Sequence, residues 1–189
     1  DGISDTLESL EDGDSDGLAD AQDTDSDADK IVDAVEGWGD ADSDSVMNVY
    51  DTDSDGDGIS DQVERTGDVD SDGIQNSQDL DADADGIADS IEMTRDSDSD
   101  GVMDSQDNDS DNDSLSDEIE TSADVDSDSL ANFRDVDADN DGILDSREGS
   151  KDSDSDGLDD FIDLDSDNDN IPDEIEGEED VDSDNVANY

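Results

Sequence analysis

The chain has 189 residues, of which 69 are Asp or Glu and only six Lys or Arg, giving a formal net charge of -63. With 27% apolar and 3% aromatic residues, it cannot bury enough apolar surface to offset chain entropy, and self-repulsion opposes collapse further. An ordinary hydrophobic core and nucleic-acid binding are excluded, and the lack of Cys and His removes disulfides, thiol chemistry and the usual zinc and copper ligands.

No apolar run reaches the length of a membrane span. Either the chain is disordered or abundant positive charge takes the place of a core. Internal repetition decides between these. Asp23, Asp51, Asp79, Asp107, Asp135 and Asp163 recur every 28 residues without a slip. Each period holds two 12-residue loops. The first reads D-x-D-x-D-x-φ-x-[DN]-x-x-D and the second D-x-D-x-D-x-φ-x-D-x-x-E, with φ apolar. One residue joins the first to the second, and three lead on to the next period. They are called here Asp-ended and Glu-ended loops, with positions 1 to 12 counted inside each.

Calcium takes six to eight oxygen ligands, and a 12-residue loop supplies them from positions 1, 3, 5, 7 (a backbone carbonyl), 9 and 12. Taken in chain order, the candidate ligands begin with a partial Glu-ended loop, 1–8, contributing Asp1, Asp5 and Glu8. The pair 12–36 contributes Asp12, Asp14, Asp16, Asp20 and Asp23, then Asp25, Asp27, Asp29, Asp33 and Glu36. The pair 40–64 contributes Asp40, Asp42, Asp44, Asn48 and Asp51, then Asp53, Asp55, Asp57, Asp61 and Glu64. In 68–92 they are Asp68, Asp70, Asp72, Asn76 and Asp79, then Asp81, Asp83, Asp85, Asp89 and Glu92. In 96–120 they are Asp96, Asp98, Asp100, Asp104 and Asp107, then Asp109, Asp111, Asp113, Asp117 and Glu120. In 124–148 they are Asp124, Asp126, Asp128, Asn132 and Asp135, then Asp137, Asp139, Asp141, Asp145 and Glu148. The pair 152–176 supplies Asp152, Asp154, Asp156, Asp160 and Asp163, then Asp165, Asp167, Asp169, Asp173 and Glu176. A partial Asp-ended loop, 180–189, adds Asp180, Asp182, Asp184 and Asn188. Both ends fall inside a loop, so residues 1–189 are expected to be one tandem array and a slice of a longer one.

A merely solvated acidic tract would let the spacing drift and would exchange Asp freely with Glu. Here positions 1, 3 and 5 are Asp in all twelve complete loops, position 12 keeps to its class, and position 7 is always Ile, Leu or Val. Short side chains two apart converge on one point in a tight loop, and Gly86 with its equivalents Gly17, Gly58, Gly73, Gly101, Gly142 and Gly157 marks the sharp turn. Paired EF-hands are ruled out because one or three linking residues leave no room for flanking helices.

Segments such as DSDGDGISDQVE (Asp53 to Glu64) and DSDSDGLDDFID (Asp152 to Asp163) resemble thrombospondin type 3 repeats, and the resemblance runs through the whole chain. The Cys and Asn-Cys-Pro linkers of the animal proteins are missing, which is similar to the Cys-free microbial form. The resemblance implies an irregular, elongated, solenoid-like chain with little helix or strand, wrapped around a file of calcium ions. It also implies ligands shared between neighbouring loops and more than one ion per loop. Charge agrees: about nine net negative charges fall in each period, so more than two divalent ions are expected there.

Extracellular calcium modules bind at about 10⁻⁴ to 10⁻³ M. At roughly 1 mM calcium each site then adds about 0.4 to 1.4 kcal/mol, a contribution that vanishes at cytosolic concentrations. The expected setting is therefore extracellular, at a cell surface. The expected role is a calcium-rigidified stalk, spacer or filament, with other copies of the chain as fibre partners. The alternative is an adhesion module presenting an ion-lined surface to a protein, glycan or mineral. An enzyme is not expected, since carboxylates saturated with calcium make poor general bases.

The position-7 residues Ile59, Ile74, Ile87 and Val102, with Val63 and Ile91 at position 11, form an apolar stripe expected to pack each loop on the next. The scattered Trp38, Tyr50, Phe133, Phe161 and Tyr189 are also assigned to local packing. Asn108 and Asn112 begin Asn-Asp-Ser glycosylation patterns, which frequent Asp-Ser pairs produce by chance. Lys30 stands at the glycine place of 25–36 and adds a local positive charge. That loop is expected to bind calcium more weakly than 53–64, measured by calorimetry on the two isolated fragments. Equal affinities would contradict this.

Overall fold

The computed structural model describes residues 2–4, 7, 8 and 10–177. Of the candidate ligands, Asp1, Asp5, Asp180, Asp182, Asp184 and Asn188 lie outside the described residues, as does Tyr189. Among the described residues there is no strand, and regular structure is confined to single turns. Each Asp-ended loop closes in a 3-10 turn over positions 9 to 11, from Asp20–Gln22 to Asp160–Ile162. Each Glu-ended loop closes in one α-turn over positions 9 to 12, from Asp33–Glu36 to Asp173–Glu176. The irregular architecture with little helix matches the sequence expectation.

The loops are shaped by their own aspartates. The carboxylate at position 3 accepts the N–H of position 5, as Asp55 does from Asp57 at 3.1 Å. Asp at position 5 accepts the N–H of position 7, as Asp57 does from Ile59 at 2.6 Å. Two overlapping Asx turns result, a role the short Asp side chain fills and the longer Glu does not. Between them the backbone takes positive φ at both position 4 and position 6, for example Gly56 (73°) with Gly58 (98°), or Ala28 (62°) with Lys30 (85°). The turn at position 6 is legible from the glycines, whereas the one at position 4 is filled by Ser, Ala and Asn everywhere except Gly56 and carries no such mark.

The described residues form two compact units, one running to Ala84 and including Ala88–Arg95, the other made of Asp85–Ile87 and the residues from Asp96 onward. Within the first, α-turn Asp61–Glu64 packs on the 3-10 turn Asn76–Gln78; within the second, Asp145–Glu148 packs on Asp160–Ile162. The small apolar core is periodic. It comprises position 10 of Asp-ended loops (Val49, Phe133, Phe161) and position 7 of Glu-ended loops (Ile31, Ile59, Ile87, Ile143), with Ala82 and Ala138 at position 2.

The expected apolar stripe therefore divides. Ile59 and Ile87 are buried, while Ile74, Val102, Val63 and Ile91 are each at least 39% exposed. Position 7 of an Asp-ended loop faces outward, a difference that the shared pattern of the two loops conceals. Trp38 meets Tyr50 edge to face with ring centroids 5.7 Å apart, as local packing requires.

The residue after each Glu adopts a further unusual backbone. Gly37, Gly149 and Gly177 suit it, but Arg65 (φ 68°, ψ -174°), Met93 (φ 60°, ψ -161°) and Thr121 (φ 66°, ψ 170°) occupy the same region, which favours glycine strongly. Such strain costs about 1–3 kcal/mol, partly offset because glycine has more unfolded-state freedom. Met93→Gly is expected to stabilise the cation-loaded fold by about 1 kcal/mol, read from the denaturation midpoint. A destabilisation would refute the strain.

Candidate metal centres

Position 9, read from the sequence as a ligand of its own loop, closes that loop by hydrogen bonds. In every complete loop its Oδ1 accepts the backbone N–H of position 2, as Asp33 does from Ser26 (2.9 Å), Asn76 from Val69 (3.1 Å) and Asp117 from Ser110 (2.9 Å). Its own N–H reaches back to the carbonyl just before the loop, as from Asp61 to Thr52 at 3.1 Å. These two bonds tie the ends of the loop together. Where position 2 is Ser, its hydroxyl donates to the second oxygen, as from Ser54 to Asp61 (2.6 Å) and from Ser166 to Asp173 (2.7 Å).

The carboxylates at positions 1, 3 and 5 lie together. Oxygens of Asp12, Asp14 and Asp16 lie within 4.8 Å of one another, and so do those of Asp25, Asp27 and Asp29, of Asp40, Asp42 and Asp44, and of Asp53, Asp55 and Asp57, with further such groups along the chain. Position 12 differs by class. In Asp-ended loops its Oδ1 accepts the position-1 N–H of the following loop, as Asp51 does from Asp53 at 3.1 Å, so the short side chain welds two loops into a pair. In Glu-ended loops the longer side chain turns inward. Glu36, Glu120 and Glu148 are 5%, 1% and 7% exposed, and both carboxylate oxygens of each are buried without a hydrogen-bond donor.

Beside them lie further buried oxygens lacking donors: Oδ2 of Asp27, Asp55, Asp111 and Asp139 at position 3, and of Asp29, Asp57, Asp113 and Asp141 at position 5. Buried polar groups are almost always paired, and an unpaired buried charge is costly. Clustered carboxylate oxygens with no internal donor fit a hard cation bound through oxygen. Asp-ended loops are more open: Asp42, Asp44, Asp68, Asp72, Asp96 and Asp100 are exposed. There the neighbouring loop contributes an amide, with Asn112 donating to Asp98 (3.0 Å) and Asn168 to Asp154 (2.6 Å). The Asn168 amide holds the Asp154 carboxyl below its usual value. Ser110, needed for the Asn108 glycosylation pattern, has its hydroxyl buried against Asp117.

Two things escaped the sequence reading. One is the hydroxyl of Ser at position 2. The other is an approach between periods, in which Asp29, Glu36 and the later Asp61, all buried, place oxygens within 4.8 Å of one another. A signal for both is present in the residues. In Asp-ended loops, position 9 is Asn where position 2 is Ala or Val (Ala41 with Asn48, Val69 with Asn76, Val125 with Asn132). In Glu-ended loops it stays Asp even opposite Ala82 and Ala138.

Compared with known protein-family models and with curated proteins, the chain matches none.

Without a bound cation, burial, followed by the nearby Asp27 and Asp29, pushes Glu36 up to about 9. Burial and neighbouring aspartates push Glu120 to about 10 and Glu148 to about 9, and Asp27, Asp111 and Asp139 to about 8, 7 and 7. A carboxyl whose folded pKa is raised favours the fold fully below its unfolded value, here 4.5 for Glu, and that contribution is lost as pH rises through the folded value. In chelator the compact state is therefore expected near pH 4 and is lost between there and pH 9 to 10. With millimolar calcium it is expected at neutral pH instead. Small-angle scattering across pH checks this, and a radius of gyration independent of pH in chelator would contradict it.

Proposed function

We propose that this chain is an extracellular calcium-binding structural repeat, a stalk, spacer or filament at a cell surface whose rigidity comes from bound ions. The observation that carries the reading is the recurrence, one period apart, of buried inward-facing glutamates such as Glu120 and Glu148 whose oxygens find no donor in the chain. The donor set is oxygen alone, irregular in geometry and rich in carboxylates, which suits calcium. Magnesium demands a near-ideal octahedron and keeps most of its water. Millimolar calcium, needed to load many modest sites, is an extracellular condition.

On this reading the array is an elongated, solenoid-like member of the thrombospondin type 3 kind, with calcium as its cofactor and other copies of itself as fibre partners. Each period contacts its neighbours and repeats the same duty, as mechanical repeats do. Catalysis is not part of the proposal, because the carboxylates are committed to the ions. A second reading, a calcium-dependent binding module, is favoured by a groove of about 560 Å³ lined by Val125, Leu158, Ile162 and Leu164 beside Asp126 and Asp139.

Calcium titration followed by circular dichroism and small-angle scattering tests the main reading. Addition of millimolar calcium is expected to convert an expanded coil to a narrow rod, and chelator is expected to reverse it. A chain that stays expanded in calcium would sink the proposal.

A further inference from the structure

The pattern at position 9 has no explanation inside its own loop. Loop closure needs only an acceptor for the position-2 N–H, and an amide oxygen supplies one, as Asn48 does for Ala41 at 3.0 Å and Asn132 for Val125 at 3.2 Å. Neutral Asn would relieve repulsion in a chain of net charge -63. Glu-ended loops nevertheless keep Asp, including Asp89 and Asp145 opposite Ala82 and Ala138, where no hydroxyl is present to bond the second oxygen. Asp89 Oδ2 is buried and has no hydrogen-bond donor.

Geometry supplies the missing duty. Asp61, fully buried, brings an oxygen within 4.8 Å of Asp29 and Glu36 of the preceding Glu-ended loop. The corresponding residues one period on interact electrostatically: Asp89 with Asp57 and Asp55, and Asp145 with Asp113 and Asp111. Glu36, the residue aimed into the first of these gaps, is 5% exposed with both oxygens lacking donors.

We infer that the position-9 aspartates Asp61, Asp89 and Asp145 are ligands to divalent cations held by positions 5 and 12 of the Glu-ended loop one period earlier in the same compact unit, so that the later period completes its predecessor's site. This rests on the calcium reading above and adds to it a site jointly owned by two periods. The charge at position 9 is then required by a neighbour, while the hydrogen bond at position 9 serves its own loop. Cation binding and the docking of successive periods become one event.

A double-mutant cycle in the full chain tests this. Bound calcium is counted by native mass spectrometry for the parent, Glu36→Gln, Asp61→Asn and the double variant. Asn at 61 retains the acceptor for Ser54, so the 53–64 loop should close as the Asn-bearing loops do. One shared ion predicts that each single variant loses one ion, or binds it at least tenfold more weakly, and that the double variant loses no more than either. Glu118→Gln, at an exposed acidic position outside the ligand set, should leave the count unchanged. Two ions lost in the double variant, or none in Asp61→Asn, would overturn the inference while leaving the calcium reading intact. A parent chain that binds no calcium would instead overturn that reading. Should Asp61→Asn fail to become compact in calcium, the same cycle with Glu120→Gln and Asp145→Asn gives the decision.

Discussion

Carboxylate oxygens that the chain buries but does not neutralise govern this structure. Glu36, Glu120 and Glu148 sit inside the fold with no donor on either oxygen, and aspartates at positions 3 and 5 turn further oxygens toward them. With six basic residues against 69 acidic ones, the polypeptide has no means of balancing that charge from within. The ion pair of Arg134 with Asp104 at 2.6 Å, with the guanidinium also over the Phe133 ring, shows what internal compensation looks like where it occurs. Elsewhere protons or external cations must fill the role, because the apolar contribution of scattered Val, Ile and Phe residues is small.

The fold separates two tasks that ordinary domains merge. Local shape is set by aspartate carboxylates that accept the backbone N–H two residues on, and by the closing bonds of position 9, all within a dozen residues. Joining one loop to the next is left to the position-12 aspartates, a few apolar side chains and the convergent carboxylates. The short Asp and the longer Glu at position 12 thereby do different work: Asp51 bonds forward to Asp53, whereas Glu36 folds back into the loop that bears it.

Much of this was legible in the residues. The 28-residue period, the two loop classes, the lack of room for flanking helices, and the convergence of positions 1, 3 and 5 follow from spacing alone. What the sequence concealed was orientation. Ile59 and Ile74 occupy the same place in their motifs, yet one is buried and the other is 44% exposed. The positive φ at position 4 was hidden because, Gly56 aside, Ser, Ala and Asn fill it without announcing the turn. The meeting of Asp61 with Asp29 and Glu36 was hidden because the expected sharing was between neighbouring loops, whereas these two loops have a third between them in the chain.

That last juxtaposition gives the molecule a polarity in time. Glu36 and Asp61 stand 25 residues apart, so during synthesis or export from the N-terminus the later group emerges well after the earlier one. If Asp61 completes the site of Glu36 as proposed, the earlier stretch waits, open to water, until its successor arrives. Its maturation then trails the leading edge of the polypeptide by nearly one repeat.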